Sequence, residues 1–427
     1  HKNTKIIVSR RRTTFIFFIF LSLIFIFCTK ATYLAFSKKV FQYSYNHKLK
    51  ALKIRGDIVD QNDNILARNI NSYSVGIQPK LIKNKKKFLI DLRLIYPDIK
   101  SEIISGKINK GTYFYIKKKI TEEEKIKLFS LGYEAIRFEA TQTRFYPQKN
   151  LFSHVIGQID EDNYGISGLE KSFDLNLKSK KIINTYLKLT LDSSLQHIIR
   201  DELIKAQENF DTIGSAAILM DIHNGEILSL ISMPDFDLNQ RKKINEDIYT
   251  NKITKGVYEL GSVFKTFTLA AGLENEVIDS NTMFNNLEKS LFCDGKKISE
   301  HDKLPKDLSA EQILIRSSNI GAIRIAQRVG IEKYQSFLNS LGLFETISFD
   351  LEEVGTPLRF RWGKCKLATA SFGHGITTTP LQLAKSYAIL ANGGYEIYPT
   401  ILKEKSKPIK KQIISSDTSS KINSILR

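Results

Sequence analysis

The stretch Tyr258-Glu259-Leu260-Gly261-Ser262-Val263-Phe264-Lys265, with the apolar run that continues it, constrains this chain more than any other feature. Val263, Phe264, Phe267, Leu269, Ala270, Ala271 and Leu273 predict a buried helix that begins at the serine, which the rest of the chain must frame. Ser262 and Lys265 are three apart, so on a helix they share one face, with the amine in reach of the hydroxyl. Gly261 allows a tight turn into the serine. A serine at a helix N-terminus also lies beside backbone N–H groups that have no intrahelical partner, in the positive end of the dipole, where an oxyanion can be held. A hydroxyl becomes a good nucleophile only when a base takes its proton. Lysine can be that base only when neutral, a state that desolvation among Phe264 and Phe267 favours.

The plainer reading of such a spacing is a lysine on the solvent face of a core helix. Two facts weigh against it. Ser262 is the only serine in the sequence followed three residues later by lysine, and a second group of the same chemistry lies downstream at Ser317-Ser318-Asn319. Ser309 with Gln312 predicts a capping box for a short helix through residue 315, and residues 320–329 predict another helix, stopped by Gly330. The Ser-Ser-Asn step therefore falls at a helix junction, where side chains can face a cleft. On its own it would read as a polar turn.

At 427 residues the chain can hold two or more domains with real cores. Residues 1–12 are basic, and an apolar run over 13–28 resumes at 31–36, together long enough for a bilayer span with Lys30 reaching outward. A cleaved signal peptide is the alternative, but Ala31 and Leu34-Ala35 offer a poor small-residue cleavage site. Lys38, Lys39, Lys48, Lys50 and Lys53 follow the span, so flanking charge does not decide its orientation.

Residues 40–185 carry no catalytic constellation of their own. Arg55 to Ala67 reads as a hairpin, residues 85–127 as a lysine-rich lobe, and Arg144-Phe145-Tyr146-Pro147 and Gly168-Leu169-Glu170 as turn and packing chemistry. From Thr190 the texture changes. Asp192 caps a helix with an apolar face at Leu195, Ile198, Ile199, Leu203 and Ala206, and Asn224-Gly225 turns a hairpin between 216–220 and 226–231. Thr379-Pro380 begins a helix over 381–391 that Gly393-Gly394 closes. A helix, an antiparallel hairpin and then the Ser262 helix predict an α+β domain. His374, between glycines, could serve the site or only the fold.

The formal charge of +19 fits nucleic-acid or anionic-membrane binding, yet the lysines are scattered along the whole chain and no nucleic-acid-reading motif is present. Cys28, Cys293 and Cys365 have neither zinc-site nor disulfide-framework spacing; only Cys293 and Cys365 could pair, and the sequence leaves that open. The histidines form no metal-ligand cluster, and no cofactor is indicated.

In order along the chain, Arg55-Gly56, Asp60, Leu66-Ala67, Arg144 with Tyr146-Pro147, Gly168-Leu169-Glu170, Leu189-Thr190-Leu191-Asp192, Asn224-Gly225-Glu226, Ser262-x-x-Lys265, Ser317-x-Asn319 and Thr379-Pro380-Leu381-Gln382 resemble class B penicillin-binding proteins. Met233-Pro234-Asp235-Phe236-Asp237 and Asn239 look most like the division-specific members; the elongation-specific members are the alternative. The resemblance implies a cytoplasmic tail over 1–12, a single-pass inner-membrane anchor over 13–36, a pedestal domain over 40–185 and a periplasmic transpeptidase domain over 190–427. That domain would be an antiparallel sheet with helices on both sides. It implies peptidoglycan cross-linking in septal wall synthesis: Ser262 as nucleophile, Lys265 as base, Ser317 as proton shuttle and Asn319 holding the stem peptide. β-Lactams would acylate the same serine. Implied partners are the membrane, a membrane peptidoglycan glycosyltransferase and other division proteins.

One departure stands out. The family's third motif, K-T-G or K-S-G, occurs nowhere in the sequence. The expectation is that the chain stops short of that strand, leaving the domain incomplete at its C-terminal side and weakly active or inactive alone. Two competing readings are a β-lactamase or β-lactam sensor, which lack the pedestal, and a non-catalytic division scaffold with the same fold.

Overall fold

The computed structural model describes residues 2–36, 55–183, 185–240, 246–358, 360–363, 365–405 and 411–427. The lysines at 38, 39, 48, 50 and 53 and the start of the expected pedestal lie outside them. Helix α1, Lys2–Phe36, contains the apolar segment Arg11–Tyr33, whose 23 residues are left exposed among the described residues. At 1.5 Å per residue that segment is about 35 Å long, enough for the roughly 30 Å hydrocarbon core of a bilayer. Its few polar side chains are satisfied within the helix: Ser22, Thr29 and Thr32 donate to the carbonyls of Phe18, Phe25 and Cys28.

The expected hairpin after Arg55 forms from β1 (Asp57–Val59) and the start of β2 (Ile65–Ile77), with Ile58 opposite Ala67 and Val59 opposite Ile65. Asp60 shapes its turn, accepting from the Asn62 and Asn64 amides at 2.8 and 2.9 Å and from the Ser193 hydroxyl at 2.6 Å. Burial opposes its charge, but these hydrogen bonds outweigh it and hold the carboxyl below the usual range.

Two compact units emerge, residues 1–53 with 71–142 and residues 54–70 with 143–427. In the first, the far half of β2 pairs with β3 (Phe114–Ile120). Helices α2 (Lys85–Ile95), α3 (Ser101–Lys110) and α4 (Glu122–Ser130) turn Phe88, Leu92, Ile104, Ile108 and Leu128 onto Val75, Ile77 and Ile120. Lys85, Lys86 and Lys87 face water. A capping box, Thr121 with Glu124, starts α4.

In the second unit, the end of β4 (Ile136–Phe145) carries Arg144 to a buried ion cluster. Glu170 accepts from Arg55 on one side and from Arg144 Nε at 2.6 Å on the other, and Arg55 also reaches Asp174 at 2.6 Å. These residues, which the sequence offered only as turn and packing chemistry, link three distant segments through charge. β1 also pairs in parallel with β5 (Tyr186–Lys188).

The Asp192 cap forms as expected, accepting from the Ser194 and Leu195 amides, and starts α5 (Ser193–Phe210). The hairpin turned at Asn224-Gly225 is β6 (Ser215–Met220) antiparallel to β7 (Ile227–Met233), and α5 packs against both strands. The Ser262 segment opens as a 3-10 turn, Gly261–Phe264, and becomes α-helical only at α6, Lys265–Glu274. The sequence reading of a helix from the serine is thus correct except in its first turn. Every residue from Lys265 to Leu273 is buried.

A helix enclosed on all sides needs small residues where neighbours approach. Gly272 is one: a Cβ there would meet Ile278 Cδ1 at 2.5 Å. Short strands β8 (Met283–Phe284) and β11 (Leu308–Ser309) pair, as do β9 (Ser290–Cys293) and β10 (Lys296–Ser299). Around α6 pack α7 (Ala310–Ile315), α8 (Asn319–Val329), α9 (Ile331–Ser340) and α12 (Ser416–Leu426). Between them lie α10 (Lys366–Ala370) and α11 (Pro380–Ala391), the latter started by a Thr379–Gln382 capping box and packed on β6.

Candidate active site

Three local devices set the side chains that the sequence singled out. The 3-10 turn ahead of α6 leaves Ser262 exposed while the following residues sink into the core, so Lys265 is only 3% exposed. Helix α7 ends at Arg316, after which Ser317 takes a left-handed conformation with φ 52°. Its amide closes on Leu314 O, and that of Ser318 on Ile313 O. Glycine is the usual residue at such a helix end, and a serine there costs of the order of 1 kcal/mol. Ser318 caps α8 by accepting from Gly321 N, which puts Asn319 at the first helical position.

These devices bring Ser262, Lys265, Ser317 and Asn319 together in the wall of one cavity of about 450 Å³. The Lys265 amine donates to Ser317 Oγ at 2.9 Å and to the Ser317 carbonyl. The hydrogen bonds of the amine thus go to Ser317. Burial pushes the amine down to about 8, with the negative charge of Glu300 pulling the other way. A useful share of the amine is thus neutral near pH 8, as a general base requires.

Glu300, His301 and Asp302, just after β10, form one rim of the cavity; Phe372, Gly373 and His374 form another. His374 belongs to the site, its Nδ1 lying 3.3 Å from Glu259 and its ring stacked on Phe372. Cys293 and Cys365, whose pairing the sequence left open, are joined in a disulfide. The bond links the β9–β10 hairpin that leads to the first rim with the segment that enters α10 and leads to the second.

A buried lysine on a serine hydroxyl, an exposed serine one turn away and an asparagine at the next helix start form an acyl-transfer constellation. Comparison with known proteins agrees with it. Residues 215–427 match the penicillin binding protein transpeptidase domain, and residues 51–202 the penicillin-binding protein dimerisation domain.

The chain belongs to the class B penicillin-binding proteins. It is 30% identical over 378 residues to the probable peptidoglycan D,D-transpeptidase FtsI of Caulobacter vibrioides, covering 87% of this chain and 64% of that protein. It is 28% identical over 430 residues to stage V sporulation protein D of Bacillus subtilis, covering 89% and 66%. With peptidoglycan D,D-transpeptidase FtsI of Escherichia coli K12 the identity is 26% over 376 residues, covering 81% and 63%. The chain thus spans about two thirds of the length of these relatives.

The sequence reading passed over Glu300, His301, Asp302 and Arg316, all of which line the cavity with the family's motif residues. A signal for the first rim was present in Asp294-Gly295, a hairpin turn dipeptide. What the sequence could not give is that the hairpin folds back onto the start of α8.

Proposed function

We propose that this cavity is the acylation site of a peptidoglycan D,D-transpeptidase that cross-links stem peptides in septal wall synthesis and is acylated by β-lactams. The observation that carries the proposal is the buried Lys265 amine, brought down to about 8 and hydrogen-bonded to Ser317 within one cavity with Ser262.

Ser262 Oγ attacks the carbonyl carbon between the two D-alanines of a stem peptide as its proton passes to Lys265 Nζ. The backbone N–H of Ser262 serves as one oxyanion donor, a contact worth about 3 to 4 kcal/mol of barrier. Asn319, whose Nδ2 is engaged by Ser299 O at 3.0 Å, presents its side-chain oxygen to the donor peptide's amide. The proton moves from Lys265 through the Ser317 hydroxyl to the leaving nitrogen. The C–N bond breaks, terminal D-alanine departs, and an ester to Ser262 remains. An amine of a neighbouring stem peptide attacks that ester; its proton returns along the same relay, the new amide forms and the serine is regenerated.

The same reading makes residues 1–12 cytoplasmic, 13–36 an inner-membrane anchor, 40–185 a pedestal and 190–427 the periplasmic transpeptidase domain. The Cys293–Cys365 disulfide supports it, because such bonds persist in oxidising compartments. A membrane peptidoglycan glycosyltransferase would meet the anchor and pedestal.

The test is labelling of the full-length protein with a fluorescent penicillin beside its Ser262→Ala variant. A stable adduct on the unmutated protein alone supports the reading. Its absence from a folded, unmutated protein sinks it, and rapid loss of the label would point to a β-lactamase.

A further inference from the structure

Glu300 is the one acidic residue of the cavity that reaches the start of α8. Its Oε1 accepts from the Ser318 hydroxyl at 2.6 Å and from Ile320 N at 2.9 Å, and its Oε2 accepts from Asn319 N at 2.7 Å. Those two amides belong to the first turn of α8, where no intrahelical acceptor exists. Ser318 Oγ accepts from the third, Gly321 N. A carboxylate from a separate hairpin thus completes the cap of this helix, in the positive end of its dipole.

The consequence for chemistry lies one residue upstream. Ser317 is held in its left-handed conformation between the end of α7 and this capped turn, and both its oxygens receive the Lys265 amine. The Ser299 carbonyl, next to Glu300, takes the Asn319 side chain. The end of β10 therefore holds Ser318 and Asn319, the residues that directly follow Ser317, and brings a negative charge toward the amine. Other charged or titratable groups of the cavity are Glu259, His301, Asp302, Arg316 and His374. Of these, Glu259 and His374 are paired with each other. The charge of Glu300 opposes the effect of burial on Lys265.

We propose that Glu300 is a positioning residue of the transpeptidase site: it locks the β10 end onto the start of α8, sets Ser317 and Asn319, and directs its charge toward the Lys265 amine. The inference rests on the acylation reading above. It assigns Glu300 no contact with the reacting atoms.

The experiment is the pH profile of the acylation rate, measured with fluorescent penicillin on the full-length protein between pH 6 and 10, for the unmutated chain, Glu300→Gln, Glu300→Asp and Ser262→Ala. Rate rises as Lys265 loses its proton, so the unmutated midpoint should lie near 8. Glu300→Gln removes the charge that favours the ammonium and presents an N–H donor to backbone donors. Its midpoint should fall by about one pH unit and its plateau by about tenfold or more. Glu300→Asp keeps the charge on a shorter arm, so the plateau should drop while the midpoint stays near the unmutated value.

A Glu300→Gln midpoint that does not move, whatever its plateau, would reduce Glu300 to a helix cap and overturn the proposal. An unchanged plateau in either variant would overturn its positioning part. Should Glu300→Gln fail to fold, Glu300→Asp decides the matter by its plateau: a drop with an unmoved midpoint supports the proposal, and an unchanged plateau overturns it. If the unmutated protein takes no label, as Ser262→Ala should not, it is the acylation reading that fails, and the inference with it.

Discussion

Lys265 sits where its charge is unfavourable to the fold. Its amine has been taken out of water at the first position of a fully buried helix, and its folded value of about 8 lies below the reference value of 10.5. Between those values the unfolded chain binds more protons than the folded one, so stability rises with pH across that window. Below pH 8 the penalty is present in full, and above 10.5 it vanishes because the amine is neutral in both states. Replacing Lys265 with Met, of similar length and without charge, is therefore expected to stabilise the protein at pH 7 by about 1 to 3 kcal/mol and to abolish penicillin labelling. The gain should shrink toward zero by pH 10.5. Unfolding midpoints measured at both pH values check this, and a gain that is equal at the two would refute desolvation of the amine. Ser317 follows the same logic: a helix end that glycine would fill more easily carries a hydroxyl instead. Residues that the fold would do better without mark the site more sharply than cavity shape does.

At the level of elements, what the sequence revealed was local. Ser309 with Gln312, Thr379 with Gln382 and Asp192 each cap the helix expected of them, because a cap is a contact between residues two or three apart. Asn224-Gly225 turned its hairpin for the same reason. The 3-10 opening of the Ser262 segment escaped, since periodicity does not separate a 3-10 turn from the first turn of an α-helix. Contacts distant along the chain escaped, as with Glu300 on α8 and Glu170 between Arg55 and Arg144, or stayed open, as with the pairing of Cys293 and Cys365. Through family resemblance the motif order pointed to four residues that line the cavity, but not to the rim that holds Asn319. The disulfide ties that rim to the segment before α10 across a sequence separation of 72 residues. A Cys293→Ser, Cys365→Ser double variant should lose about 2 to 4 kcal/mol of stability, read by thermal or denaturant unfolding. Its acylation should slow as well, because the hairpin carrying Glu300 loses its tether. Unchanged unfolding would mean that the pair contributes nothing to the fold.

For the whole molecule, the N-terminal helix and the disulfide offer a test of the proposed membrane orientation. The Arg11–Tyr33 segment is long and apolar enough to cross a bilayer, and its large side chains, from Phe15 to Phe27, find no cover in the protein. Exposing so many large apolar groups to water would cost far more than the few kcal/mol by which domains are stable. Cys28 lies within this segment, while Cys293 and Cys365 are bonded in the unit that holds the cavity. The proposed orientation puts that unit on the oxidising face of the membrane. The whole protein should therefore sediment with membranes, resist salt and alkaline extraction, and yield to detergent. In intact cells, a membrane-impermeant thiol reagent should leave Cys293 and Cys365 unlabelled until a reductant is added. After reduction it should label them without lysis, because they would face the outer side. Labelling of either cysteine that requires lysis but no reductant would place the cavity in the reducing compartment, and the periplasmic reading would fall even if Ser262 acylates.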